Sequence, residues 1–188
     1  MQKRTMRTDQ LLRELKDSII LQNLNRRELR RFALVCEPRD YEPGEYLVEQ
    51  DSVGSDLHLL LEGSVDITVH GTEREEVRVS EVRKGDVLGE ASIFSDLPRT
   101  ASAIARLPCL VAAVPRDRLF AYCDRNPRAG LKLFTFVIFS LLKRLQTTSR
   151  ELAHEREAVI SRADLDRLLS NLPKSLEGML GNHGSWAG

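Results

Sequence analysis

The sequence predicts a mainly β fold with flanking helices. Three observations support this prediction. Residues 38–116 contain short apolar segments separated by Gly, Asp and Pro turns, which is typical of a small sandwich or barrel. Residues 9–35 and 127–156 repeat apolar side chains at helical spacing. At 188 residues, the chain has the size of one domain with a helical extension.

The first segment, residues 1–37, is predicted to be helical over 9–35. Leu11, Leu15 and Ile19 recur at helical spacing. Asn25 is a residue type that caps helix N-termini, and it precedes a second apolar turn. We therefore expect more than one helical turn before the strands begin.

The second segment, residues 38–127, is predicted to form the barrel. Its strand candidates alternate apolar and polar residues or form short buried runs, and each is followed by a turn. An antiparallel jelly-roll fits this pattern, although periodicity alone does not establish the topology. The candidates are Tyr46–Val48, Leu57–Leu61, Val65–Val69, Val77–Val82, Ala101–Ala105 and Leu110–Val114.

The third segment, residues 128–158, is predicted to be one helix of about 30 residues, or about 45 Å long. Leu131, Ile138 and Leu145 are seven residues apart, as in the seam of a coiled coil. Since the barrel covers only one side of such a helix, we expect a second copy of the chain to cover the other. Residues 159–188 are predicted to form a short helical lid and a tail.

Composition excludes several classes of protein. Basic and acidic side chains number 28 each, so the formal net charge is zero and binding to nucleic acid by bulk electrostatics is not expected. An apolar run of about 20 residues, a secretion signal and a CxxC pair are all missing from the sequence. We therefore expect a cytoplasmic protein without a membrane segment, bound metal or enzymatic activity. The four histidines show no metal-ligand or general-base spacing.

The segment from Gly85 to Ser102 contains the main candidate ligand-binding residues. Gly89 allows a tight turn, and the residues after it suffice for one helical turn whose free N–H groups favour an anion. Arg99 supplies a planar fork for two phosphate oxygens, with the Thr100 hydroxyl beside it. Glu90 would repel phosphate, so it is better suited to accept a hydrogen bond from a ribose hydroxyl. These features predict a compact phosphodiester on a ribose as the ligand.

This segment resembles the phosphate-binding cassette of the cyclic-nucleotide-binding domain family, with its Gly-Glu, short helix and Pro-Arg-Thr-Ala. Residues 46–51 and 57–65 look like the family's early strands, although Gln50 stands where a turn glycine is common. Residues 142–149 are similar to the central dimer helix of the catabolite activator branch. The resemblance implies an eight-stranded jelly-roll that binds cAMP or cGMP inside the barrel, and a homodimer formed through residues 128–158.

The resemblance also assigns roles to residues. Gly89 and Glu90 would meet the ribose and Arg99 the cyclic phosphate, assisted by Thr100 and by the amides of Ala91 and Ser92. The remaining positions match residues of the central helix that reach the purine or pair with the ribose-binding carboxylate: Thr148, Ser149 and Arg144. Thr100 resembles versions that prefer cGMP, whereas Thr148 and Ser149 resemble a cAMP reader. We expect cAMP to be the preferred ligand.

Three functions remain open at this stage. About 30 residues follow Arg156, too few for a winged helix-turn-helix, so DNA binding is not expected unless the chain was cut from a longer protein. The first function is a stand-alone, dimeric cyclic-nucleotide sensor that signals through a protein partner. The second is a scaffold that keeps the fold and no longer binds a nucleotide. The third is a truncated regulator of a kinase or a channel.

Overall fold

The structure is a computed structural model that describes residues 2–70, 76–94, 98–142, 145–147 and 149–150. Contacts between residues divide the chain into two units, Met1–Leu141 and Leu142–Gly188. The first unit carries both β-sheets and all of the helices and strands named below. Described residues of the second unit are helical.

In the described part of the chain, nine strands form two antiparallel sheets, with the order β1-β2-β9-β4-β7 in one and β3-β8-β5-β6 in the other. Strands β2 to β9 make two four-stranded sheets, which confirms the predicted jelly-roll. The short β1 extends the first sheet by pairing with β2. This strand was not predicted, because two residues are too few to show a periodicity. The strands are β1 Gln2–Lys3, β2 Glu37–Tyr41, β3 Tyr46–Val48, β4 Leu57–Glu62, β5 Ser64–His70, β6 Glu76–Arg83, β7 Val87–Leu88, β8 Ser102–Ala105 and β9 Cys109–Val114.

Strand β4 separates two hydrophobic cores. Leu57, Leu59 and Leu61 pack in a cluster with the helices, which we call the helical core. Leu60 packs in a second cluster between the two sheets. Successive side chains of a strand point to opposite faces. His58 therefore points to the same side as Leu60, which is the interior of the barrel.

The described helices of the first unit pack against the outer face of the first sheet. They are α1 (Thr8–Leu15), α2 (Arg26–Ala33), α3 (Arg116–Arg125) and the part of α4 that lies in this unit, 127–141. A 3-10 turn at Ile19–Leu21 separates α1 from α2, so the predicted helical region is not continuous. The predicted cap at Asn25 is confirmed, because its side chain accepts hydrogen bonds from the backbone N–H groups of Arg27 and Glu28. None of the described helices is long and apolar enough to cross a membrane.

Helix α3 was not predicted and lies in the range assigned to the barrel. It follows Pro115, and it buries Leu119, Tyr122 and Cys123 in the helical core. These three residues have the i, i+3, i+4 spacing of a helix face. The helical region therefore begins at Arg116, well before residue 128, where the third segment was predicted to start.

Helix α4 begins at residue 127, one residue before the predicted start of the third segment, and it has two apolar faces. Leu133 and Val137 are buried in the helical core. Leu131 and Ile138 on the predicted seam are 70% and 56% exposed. Phe134, which the heptad pattern also places on the seam, packs partly against the core of the same chain. The first unit thus covers one side of α4 and leaves the other side accessible.

Candidate functional site

Gly89 sets the closest approach in the predicted cassette. It has a φ of 80°, in the left-handed region that favours glycine. A Cβ at this position would lie 2.7 Å from the carbonyl oxygen of Asp56 and 2.8 Å from Nη1 of Arg99. The backbone at Gly89 therefore packs directly on the Arg99 guanidinium, which only a residue without a side chain permits.

A 3-10 turn, Ala91–Ile93, follows Gly89 and Glu90 and confirms the predicted helical turn. Ile93 is buried in the helical core and anchors the turn, whereas Ala91 is exposed. Ser92 is buried, and its carbonyl oxygen accepts a hydrogen bond of 2.5 Å from Arg116 at the start of α3. The turn is thus fixed by an apolar anchor and by a cation from the next helix.

Arg99 is buried, with 7% of its surface exposed. Its Nη1 donates a hydrogen bond of 2.7 Å to the Ser92 hydroxyl, and its Nη2 donates one of 3.3 Å to the Asp56 carbonyl. Burial lowers the pKa of the guanidinium, although the charges of Asp56 and Glu90 act in the opposite direction. Arg99 therefore holds a positive charge in a poorly solvated place.

The loop between β3 and β4 holds the backbone of Arg99. The N–H of Arg99 donates to the Ser52 carbonyl, and the N–H of Asp51 donates to the Arg99 carbonyl, both over 2.9 Å. Asp51 has a φ of 62°. Gln50 stands where a turn glycine is common, and the left-handed residue of this turn is the next one, Asp51.

Six of the nine predicted site residues lie in the first unit, and the structure describes all six. Gly89, Glu90, Ser92 and Arg99 come together, and Glu90 is 3% exposed. Ala91, next to Glu90, and Thr100, next to Arg99, are exposed. The other three are Ser149, which is helical and exposed in the second unit, and Arg144 and Thr148, which lie outside the described residues.

An open cleft of about 450 Å³ lies beside Arg99. Its walls come largely from β3, from the loop that follows it and from the start of β4, which the sequence analysis did not assign to the site. For these residues, the sequence offered the similarity of residues 46–51 and 57–65 to early strands of the family. That similarity predicts strands, but it does not predict that their side chains line a cleft. The lining residues are Tyr46, Leu47, Val48, Glu49, Ser52, Val53, Gly54, Ser55, Asp56, His58 and Arg99.

His58 is the buried titratable group of this wall. It is 3% exposed, and burial lowers its pKa to about 4. The positive charges of Arg99 and Arg39 lower it further, whereas Asp56 raises it. The imidazole is therefore neutral near pH 7.

The charge and burial of this arrangement are suited to an anion. A buried guanidinium and a neutral imidazole line one cleft, and the backbone of the Gly89 turn packs on that guanidinium. Within the ranges that the structure describes, no group of three or more His, Cys, Asp or Glu side chains is arranged to hold a metal ion. The fold and this site together define a ligand-binding domain of the jelly-roll type.

Comparison with known proteins gives the family. Residues 38–126 match the model of the cyclic nucleotide-binding domain. The catabolite activator protein of Thermus thermophilus shares the fold, with a TM-score of 0.63 and 24% identity over 71% of this chain and 61% of that chain. We therefore identify residues 38–126 as a cyclic nucleotide-binding domain, as their resemblance to this family had indicated.

Two further relatives come from protein kinase regulation. The cAMP-dependent protein kinase regulatory subunit of Eremothecium gossypii is 29% identical over 103 residues, which are 55% of this chain and 22% of the relative. The regulatory domain of protein kinase A from Toxoplasma gondii, in a co-crystal structure with cAMP, has a TM-score of 0.60 and 25% identity. That similarity covers 75% of this chain and 50% of the Toxoplasma chain. The matched segment is thus about a fifth of the first relative's length.

Proposed function

We propose that this chain binds a cyclic mononucleotide, with cAMP preferred over cGMP, and that binding regulates a protein partner without catalysis. The observation that carries the proposal is the buried guanidinium of Arg99. Its hydrogen bonds within the described residues go to a hydroxyl and a carbonyl, which are neutral acceptors. A buried cation is costly unless an anion compensates it. The charges of Asp56 and Glu90 oppose this cost without outweighing burial, and the cyclic phosphate would add an anion in direct contact.

The proposed binding mode follows from the cassette. Arg99 would exchange the Ser92 hydroxyl for a phosphate oxygen and use both arms of its fork. Glu90, which is close enough for its charge to act on Arg99, would accept a hydrogen bond from the ribose. The amides of Ala91 and Ser92 and the Thr100 hydroxyl would complete the phosphate contacts. The purine would be read by Thr148 and Ser149, with Arg144 pairing with Glu90.

The proposed output is through a dimer. The exposed apolar side chains of α4, among them Leu131 and Ile138, support a second copy as the partner of that face. The similarity to kinase regulatory subunits supports a protein effector. In this proposal the chain acts as a dimeric cyclic-nucleotide sensor.

Calorimetric titration with cAMP and with cGMP tests the proposal. We expect the wild-type chain to bind, and Arg99→Ala to weaken binding by at least about 30-fold, since removal of a buried charged partner costs 2 kcal/mol or more. The matched control is Arg83→Ala, which removes the same charge from a side chain that is 76% exposed. Circular dichroism establishes that each variant is folded.

Two results would contradict the proposal. Equal binding by wild type and Arg99→Ala would show that this guanidinium does not hold the ligand. No heat with either nucleotide, from a folded wild-type chain, would leave the ligand-free scaffold as the better explanation.

A further inference from the structure

His58 lies where the pairing of β4 and β7 brings it next to the cassette. It is opposite Leu88 in the register of these two strands, and Leu88 directly precedes Gly89 and Glu90. The same side chain lines the cleft beside Arg99. Strand pairing, rather than sequence spacing, thus places an imidazole at the predicted phosphate site.

The environment of His58 is unusual for a purely structural side chain. Its Nδ1 is buried and has no hydrogen-bond partner among the residues that the structure describes. A buried polar atom without a partner costs about 1–3 kcal/mol. Leu60, the next interior position of β4, shows that an apolar side chain is accepted on this face. A ligand in the cleft would give the imidazole the partner that the protein does not provide.

The charges that face His58 explain how it would respond to an anion. From β2, Arg39 opposes protonation, and from the cassette Arg99 does the same, whereas Asp56 just before β4 favours it. An anion bound to Arg99 would offset the repulsion from that guanidinium and add its own attraction for a proton. The protonated imidazole would then be more stable in the complex than in the free protein.

We propose that His58 is a ligand-contact residue that hydrogen-bonds the anionic group held by Arg99 and takes up a proton when this group binds. The inference rests on the proposed function and adds a pH-dependent contact to it. Because the complex would bind the proton more tightly than the free protein, ligand affinity must rise as the pH falls towards the pKa of free His58, about 4. At higher pH the imidazole stays neutral and this contribution is lost.

Calorimetry of the wild-type chain with cAMP provides the test. Titrations at about pH 5 and pH 7.5, each in two buffers of different ionisation enthalpy, count the protons taken up. We expect net uptake near pH 5 and an affinity about 10-fold higher there than at pH 7.5. His58→Gln should lose both effects. His70→Gln is the matched control, because His70 is exposed on β5 and should keep them.

The possible outcomes separate the two proposals. Binding without proton uptake, or the same pH dependence in His58→Gln, overturns the role of His58 and leaves the proposed function intact. If His58→Gln does not fold, the proton count of the wild type still decides. Failure of the folded wild type to bind cAMP or cGMP at either pH overturns the proposed function and this inference with it.

Discussion

Two glycines with similar φ angles have very different surroundings. Gly89 has a φ of 80° and Gly44 a φ of 87°. A Cβ on Gly44 would meet nothing within 4 Å, whereas one on Gly89 would collide with the Asp56 carbonyl and with Arg99. The two positions therefore separate the cost of backbone strain from the cost of lost space at the site.

We expect Gly89→Ala to destabilise the protein more than Gly44→Ala. Strain alone costs about 1–2 kcal/mol for a residue with a side chain in the left-handed region. At Gly89 the collision adds about 1–3 kcal/mol, as overpacking does elsewhere. Urea unfolding followed by circular dichroism measures both variants. Equal losses of unfolding free energy would show that the contact between Gly89 and Arg99 is not tight.

The residues of the cassette could be predicted from sequence, whereas the opposite wall could not. Gly89, Glu90 and Arg99 lie within eleven consecutive residues, and their residue types and spacing predict contacts to a phosphate and a ribose. His58 reaches the same place through the register of β4 with β7, and Asp56 does so through its backbone carbonyl oxygen. A backbone carbonyl leaves no trace in residue type, and the register depends on pairing that periodicity does not fix.

At the scale of elements, α2 is tied both to its own start and to α4. Asn25 and Glu28 form a reciprocal capping box at the N-terminus of the helix. The carboxylate of Glu28 also accepts a hydrogen bond of 2.9 Å from Lys132 on α4. Burial opposes ionisation of Glu28, yet the hydrogen bonds from Lys132 and Asn25 outweigh it and lower its pKa. One carboxylate thus links a helix start to a neighbouring helix.

Asn25→Ala should therefore lower the free energy of unfolding by about 1 kcal/mol, the usual cost of losing an N-cap side chain. Asn23→Ala is the control, because Asn23 is exposed two residues earlier and caps no helix. Thermal or urea unfolding measures the difference. If both variants lose the same stability, the cap does not contribute and the loss comes from the turn as a whole.

Local signals predicted some elements, although α3 was missed despite its helical spacing, and an element defined by its partner was not predicted. The cap at Asn25 is such a local signal. Strand β2 is the opposite case: Glu37–Tyr41 is polar and contains a proline, and it is a strand because it pairs along its whole length with β9. Its Arg39 lies between Glu37, at 3.1 Å, and Asp56, at 3.0 Å. This arrangement connects β2 with the loop that shapes the cleft.

At the scale of the whole molecule, the two apolar faces of α4 differ in burial. Leu133 and Val137 are buried in the helical core. Leu131, Ile138 and Phe139 are 70%, 56% and 67% exposed. Such a row of large apolar side chains is typical of an interaction surface. The seven-residue spacing of Leu131 and Ile138 favours a second copy of the same helix.

We therefore expect the wild-type chain to be a dimer, and the double variant Leu131→Glu with Ile138→Glu to be a monomer, because two carboxylates would have to be buried at the seam. Leu34→Glu is the matched control, since Leu34 is 71% exposed and lies outside α4. Sedimentation equilibrium over a range of micromolar concentrations measures the mass of each. A wild-type monomer throughout that range would contradict the dimer directly. A double variant that remains dimeric would show instead that the two copies meet through another surface, and the exposed face of α4 would then need a different partner.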